Sequence, residues 1–228
     1  MARGRPRNLA ARTRDDSLEE FFARLPALLG RTASPAERSA FERYADLLLL
    51  WNRTHHLTAV RTRATVGRGL FLDSLLFRAL LPASPARVAD VGAGAGIPGV
   101  PLRILDPGIA LTVIDSRRKP ISFLHALTRE LGLSDVDVQQ SRVEDLAEQA
   151  ASMRGAFDVV LTRSVRLAPD LLDASMRLLK PHGVFVASGP PPNQPAPEIR
   201  WSGAAGWKII SFARLGIERR FFTVTQGS

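Results

Sequence analysis

Three glycines alternate in the stretch Val88-Ala-Asp90-Val-Gly92-Ala-Gly94-Ala-Gly96-Ile-Pro-Gly99, directly behind a short apolar run. Glycine has no Cβ and reaches positive φ at little cost, so such a turn reverses tightly and points backbone N–H groups at a ligand. An acidic residue two positions before the first of these glycines, Asp90, and a second at Asp115 behind the next apolar run are placed to hold a polar nucleoside. The chemistry this predicts is the binding of a nucleoside cofactor. No residue stands out as a catalytic acid, base or nucleophile. The absence of cysteine excludes disulfides, thiolate metal sites, Fe–S clusters and a cysteine nucleophile together. Of the four histidines only His55 and His56 are close in sequence, and adjacent side chains diverge on a helix or strand, so no metal site is expected.

The elements that must position this turn follow from periodicity. Strands are predicted at Val88 to Val91, Leu111 to Asp115, Val136 to Gln139, Asp158 to Leu161 and Gly183 to Ala187. Helical stretches separate them, near Gly99 to Leu105, Pro120 to Leu131, Glu144 to Met153 and Ala168 to Leu179. This alternation predicts right-handed βαβ units, a parallel sheet covered on both faces, and a ligand at the carboxyl ends of the strands. The segment 189–197 contains five prolines and reads as a loop, since proline lacks a donor and restricts its predecessor. Trp207 to Phe212 and Arg220 to Val224 then read as two closing strands, a hairpin with Leu215-Gly216 near its turn.

Ahead of the sheet, residues 1–14 read as a flexible basic tail. A helix is predicted over Ser17 to Leu29, and the next starts at a capping box of Ser34, Pro35 and Glu37 and runs through Trp51. Three parts are therefore expected: the tail, an N-terminal helical cap over 15–83, and a cofactor-binding α/β domain over 84–228. The net charge is +9, and 28 of the 31 basic residues are Arg, which forks onto phosphates and stacks on bases. That balance points to a polyanionic partner, with codon bias the alternative. With no apolar run of membrane-spanning length and no apolar segment behind the N-terminal charges, a cytoplasmic protein with no membrane partner is expected.

Read strictly, Gly94-Ala-Gly96-Ile-Pro-Gly99 also fits the dinucleotide fingerprint, with Asp115 about 20 residues on. Two features favour S-adenosylmethionine instead: the Asp90-x-Gly92-x-Gly94 arrangement, and a chain that closes with two strands after the fifth, predicting an antiparallel edge. A third reading is that the glycines only make a tight strand-to-helix turn.

The residues Trp51-Asn52, Leu57-Thr58, Leu72-Asp73-Ser74 and Asp90-Val-Gly-Ala-Gly-Ala-Gly-Ile-Pro-Gly-Val-Pro-Leu102 resemble the RsmG (GidB) family of bacterial small-subunit ribosomal RNA guanine-N7 methyltransferases. The likeness continues in order through Asp115-Ser116, Lys119, Phe123-Leu124, Glu130 to Leu133, Ser141 to Glu144 and Phe157-Asp158. The resemblance implies a Rossmann-like class I methyltransferase sheet, mostly parallel with an antiparallel C-terminal edge, under an N-terminal helical cap. It implies methyl transfer from S-adenosylmethionine to guanine N7 in 16S ribosomal RNA, with the small ribosomal subunit as partner and a monomeric protein. Cofactor contacts are implied for Gly92, Ile97, Val143, Glu144 and Arg163. The residues themselves add Asp90, Gly94 and Asp115. Glu144 also reads as a first-turn carboxylate favoured by a helix dipole. Arg163 and Arg166 are placed to bind RNA phosphate or the cofactor carboxylate, with a structural salt bridge as the competing reading. Arg117, Arg118, Lys119 and Arg142 are further candidates for RNA phosphates.

The chain also departs from the family. Gly69-Leu70 replaces an Arg-His pair, Ser188 replaces a Lys, Ser164 replaces an Ala, and Pro120 stands beside Lys119 where a second basic residue is usual. A diverged methyltransferase with another RNA or a small-molecule substrate, and a non-catalytic RNA-binding assembly protein, therefore remain as alternatives.

Overall fold

The computed structural model describes residues 16–83, 87–163, 166–199, 201 and 204–227. The expected tail over 1–14 and the departure at Ser164 fall outside them. Seven strands form one sheet: β1 (Arg87–Val91), β2 (Ala110–Ile114), β3 (Val136–Gln139), β4 (Phe157–Thr162), β5 (Leu179–Ser188), β6 (Ala205–Phe212) and β7 (Ile217–Thr225). Their order is β3-β2-β1-β4-β5-β7-β6. The first five pair in parallel, and β7 runs antiparallel to both β5 and β6. Each strand lies where alternating β-branched residues place it, extended by a few residues in β5 and β7. The β6–β7 hairpin turns through Ala213–Leu215 and Gly216, which adopts φ 63°.

Helices α1 (Glu19–Leu29) and α2 (Pro35–His55) precede the sheet, and α2 opens on the predicted capping box, with Ser34 and Glu37 each accepting the other's backbone N–H. It continues one turn beyond Trp51. A winding stretch follows: α3 (Arg63–Val66), a π-helical turn (Gly67–Leu72), α4 (Asp73–Leu75) and a 3-10 turn (Leu76–Leu80). Within the α/β part lie α5 (Gly99–Leu105), α6 (Arg118–Leu131), α7 (Val143–Gln149) and α8 (Pro169–Leu178).

Period-2 alternation sorts the sheet's side chains onto two faces. Val88, Leu111, Val113, Val159 and Phe221 join the N-terminal helices, α5 and α6 in one cluster, where Phe21, Phe41, Tyr44 and Phe71 pack ring against ring. Ala89, Val91, Val160, Phe185 and Phe222 face the other way, beneath α7 and α8. The N-terminal helices thus share one apolar core with a face of the sheet, and this shared packing holds them against the glycine turn.

Candidate cofactor site

Behind β1 the chain makes three left-handed excursions, at Gly92 (φ 71°), Gly94 (φ 56°) and Gly96 (φ 81°). Two of them show why glycine is needed. Gly94 donates its N–H to Asp115 Oδ2 at 2.9 Å from a conformation that costs an L side chain about 1–2 kcal/mol. At Gly96 a Cβ would stand 2.8 Å from Val100 Cγ2 and 2.9 Å from the Tyr44 hydroxyl. Tyr44 is fully buried and donates to the carbonyl of Ala95. Burial, reinforced by the charge of Asp90, holds its hydroxyl well above the ordinary value, so it stays a donor. Helix α2 therefore braces the turn through one hydrogen bond and one close contact.

The turn forms the floor of a cavity of about 640 Å³ at the carboxyl ends of the strands. Gly92, Gly94 and Ile97 line it from the turn, Asp115 and Arg117 from the end of β2, and Arg142, Val143 and Glu144 from the segment after β3. Arg163 and Arg166 follow β4, and Leu57, Thr58 and Leu70 reach in from the N-terminal helices. Asn52 explains the Trp-Asn…Leu-Thr spacing. Its buried amide donates to the carbonyls of Thr58 and Val60, both at 2.9 Å, and accepts from the Thr58 N–H at 2.9 Å. That clamp holds Leu57 and Thr58 at the cavity wall.

Asp115 lies at the tip of β2, with its side chain only 3% exposed. Burial alone would raise its carboxyl. The Arg117 side chain, with the N–H groups of Arg117 and Gly94, outweighs burial and holds it below the ordinary carboxylate range. Arg117 grips it as a fork, Nε to Oδ1 at 3.0 Å and Nη2 to Oδ2 at 2.9 Å, while remaining largely exposed itself. Arg163 donates Nε to Asp73 Oδ2 at 2.7 Å and Nη2 to the carbonyl of Gly69 at 2.9 Å. The salt-bridge reading of Arg163 and its place on the cavity wall therefore hold together. Arg219 donates to the other oxygen of the same buried Asp73 at 2.6 Å, tying β7 to the N-terminal stretch.

Asp90 requires a correction. It is completely buried beneath the turn and does not line the cavity. Period 2 puts it on the Val88 face, where Oδ2 accepts the Gly99 N–H at 2.8 Å and anchors the start of α5. Burial pushes its carboxyl up to about 7: the Gly99 N–H and the charge of Arg163 lower it, and the charge of Asp115 raises it. Arg118 and Lys119 also stand apart from the cavity, exposed at the start of α6, where Pro120 is tolerated in the first turn. Arg117, Arg142 and Arg166 lie at its mouth. Glu144 both lines the cavity and sits in the first turn of α7. Leu57, Thr58, Leu70, Ser141 and Leu171 were not among the expected site residues. Leu57, Thr58 and Ser141 carried a signal, through their places in the family-like motifs. Among the described residues no group of three acidic or histidine side chains is placed to hold a metal ion, and no helix is long and apolar enough to cross a membrane.

A parallel five-strand sheet with an antiparallel edge, a glycine turn behind β1 and an acidic residue at the tip of β2 define a Rossmann-like α/β fold with a cavity suited to a nucleoside. The chain belongs to the GidB family, rRNA small subunit methyltransferase G, whose model matches residues 37–189. Relatives of that name include proteins from Lactococcus lactis, 39% identical over 64% of this chain and 62% of its own length, and Streptococcus pyogenes, 38% identical over 69% and 67%. A third, from Streptococcus suis, is 36% identical over 74% of this chain and 71% of its own. The match to the Lactococcus protein thus spans just under two thirds of that relative. Among solved structures, geranyl diphosphate C-methyltransferase from Streptomyces coelicolor A3(2) overlaps 68% of this chain and 66% of its own at 15% identity, with a TM-score of 0.46.

Proposed function

We propose that this chain transfers a methyl group from S-adenosylmethionine to N7 of a guanine in 16S ribosomal RNA, acting on the small ribosomal subunit in the cytoplasm. The observation that carries this reading is that the family match runs through the residues that build the cavity, from Asn52 and Thr58 to Arg163. The donor set suits the cofactor. A carboxylate at the tip of β2 suits the two hydroxyls of a ribose, and the open backbone of Gly92 and Gly94 admits an amino-acid group. Ile97, Val143 and Leu171 offer apolar walls to a flat base.

When bound, S-adenosylmethionine supplies a methyl group activated on a sulfonium. Guanine N7 carries an exposed lone pair, so the acceptor needs no base to take a proton from it. The work left to the chain is alignment, which lowers a barrier by up to about 7–11 kcal/mol in favourable cases. Asp115 would exchange part of its Arg117 fork for ribose hydroxyls. Arg142 and Arg166 at the mouth, with Arg118 and Lys119 on the adjoining helix start, supply charge for RNA phosphates.

A second reading, transfer to a different RNA, is favoured by one observation. A Cβ at Gly69 would meet only Val60, at 3.9 Å, so packing does not force glycine in place of the family's basic residue there. Mass spectrometry of RNA from a strain lacking this gene decides between them. One unmethylated guanine N7 in 16S ribosomal RNA, restored by the gene, supports the proposal. Unchanged 16S methylation with a loss in another RNA supports the second reading.

A further inference from the structure

A second cavity of about 760 Å³ opens beside the first and shares Arg166 with it. A smaller hollow lies along the same seam, lined by Arg163 of the first cavity and by Ser188 and Gly189 of the second. The outer wall of the second cavity is the proline-rich segment, and this wall is built in. Arg220, only 8% exposed, donates Nη1 to the carbonyl of Gln194 at 2.6 Å and Nη2 to that of Pro192 at 2.9 Å. The Trp207 indole donates to the carbonyl of Pro197 at 3.0 Å, and Gly189 donates to Arg220 at 2.8 Å. Trp207 packs 5.3 Å from the ring of Phe222 and so closely on Gly189 that a Cβ there would collide with the indole. The ring is thus held in one orientation at the cavity wall.

Trp207, Pro190, Ile199 and Leu167 present flat and apolar surface, and Arg166 adds a cation where the two cavities meet. This combination suits a ligand with an apolar face, a polar edge and an attached phosphate, which describes a nucleotide. The volume falls within the range of roughly 300–1,000 Å³ typical of small-ligand sites. Enzymes that modify a base in structured nucleic acid extrude it into such a pocket and stack it on aromatic or apolar side chains.

We propose that this second cavity is the seat of the acceptor guanosine, an inference that rests on the methyltransferase reading above. The base stacks on Trp207, its phosphate lies at Arg166, and N7 faces the seam shared with the cofactor cavity. The N7 lone pair forms the new C–N bond as the methyl–sulfur bond breaks and its electron pair returns to sulfur. The sulfonium becomes a neutral sulfide, the base becomes a cationic 7-methylguanine, and no proton moves.

The test uses full-length protein, purified unmethylated small ribosomal subunits and radiolabelled S-adenosylmethionine, with calorimetry of S-adenosylhomocysteine as a control on the first cavity. Trp207→Leu should raise KM for the subunits about tenfold, the scale of one lost base–aromatic stack, with kcat little changed. Trp207→Phe, which keeps a ring but loses the indole hydrogen bond to Pro197, should restore KM. Ile199→Trp, which fills the cavity, should lower kcat/KM about a hundredfold, as misplacement of a reacting group does. All three should bind S-adenosylhomocysteine as the wild type does. Normal kcat/KM in Ile199→Trp overturns the seat, and so do losses that follow S-adenosylhomocysteine affinity or are not rescued by Trp207→Phe. If Trp207→Leu does not fold, Ile199→Trp decides alone. A wild-type protein that methylates no subunit overturns the 16S ribosomal RNA reading and the seat for its guanosine with it, whereas an active wild type with normal variants overturns only the seat.

Discussion

Replacing Asp90 by Asn should flatten the pH dependence of stability above pH 5. The folded carboxyl is pushed up to about 7, while an ordinary aspartate, as in the unfolded chain, titrates near 3.8. Between these values the unfolded chain is ionised and the folded one keeps its proton. The stability that the protonated group contributes is therefore fully present below the lower value and lost as pH rises through the upper one. At ~1.4 kcal/mol per pH unit the gap corresponds to ~4 kcal/mol, of which about 3 kcal/mol falls between pH 5 and pH 8. Asn keeps an oxygen for the Gly99 N–H at 2.8 Å but cannot ionise. Urea unfolding of both proteins across this range should show the wild type losing about 3 kcal/mol relative to the variant. Asp115 does not confuse the comparison: its carboxyl is held low, so its contribution is present above the ordinary carboxylate range and lost only on further acidification. Parallel stability curves would show that the burial of Asp90 does not perturb its ionisation, and would refute the reasoning.

Three further outcomes follow from the same geometry. Gly96→Ala, with φ 81° and a Cβ pressed against Val100 and Tyr44, should lose about 2–4 kcal/mol of unfolding free energy in denaturant; a loss under half a kcal/mol would contradict that packing. Asp115→Ala should weaken S-adenosylhomocysteine binding at least about tenfold by calorimetry, since a hydrogen bond to a charged acceptor is worth ~1.5–3 kcal/mol; unchanged affinity would remove Asp115 from the site. Asn52→Ala leaves the Thr58 N–H without its partner and releases two carbonyls, and should cost about 2 kcal/mol together with measurably weaker cofactor binding; loss of stability alone would separate the clamp from the cavity.

Much of the architecture was legible because its causes are local. The capping box at Ser34 and Glu37, the strand pattern of β1 to β5 and the positive-φ turn all lie within a few consecutive residues. Asp115 was legible for the same reason, as an acidic residue closing an apolar strand. Asp90 was misread: the spacing that marked it as acidic and near the turn was right, yet alternation along β1 turns it under α5. The stretch from Arg63 to Leu80 changes from α to π to 3-10 geometry, so no single period describes it, although it carries Leu70 and the partner of Arg163. The proline-rich segment read correctly as lacking regular structure, and nothing within it shows that Arg220 and Trp207 clamp it in place.

By itself the sequence determined the strands and the regular helices, the glycine turn, the positive charge and the resemblance, because φ preferences, capping and side-chain periodicity act between neighbours in the chain. Tertiary structure alone decided that Arg163 meets Asp73, that Tyr44 braces the turn, and that two cavities share Arg166. Those contacts depend on the strand order β3-β2-β1-β4-β5-β7-β6, which brings distant residues together only once the sheet's two faces have been buried.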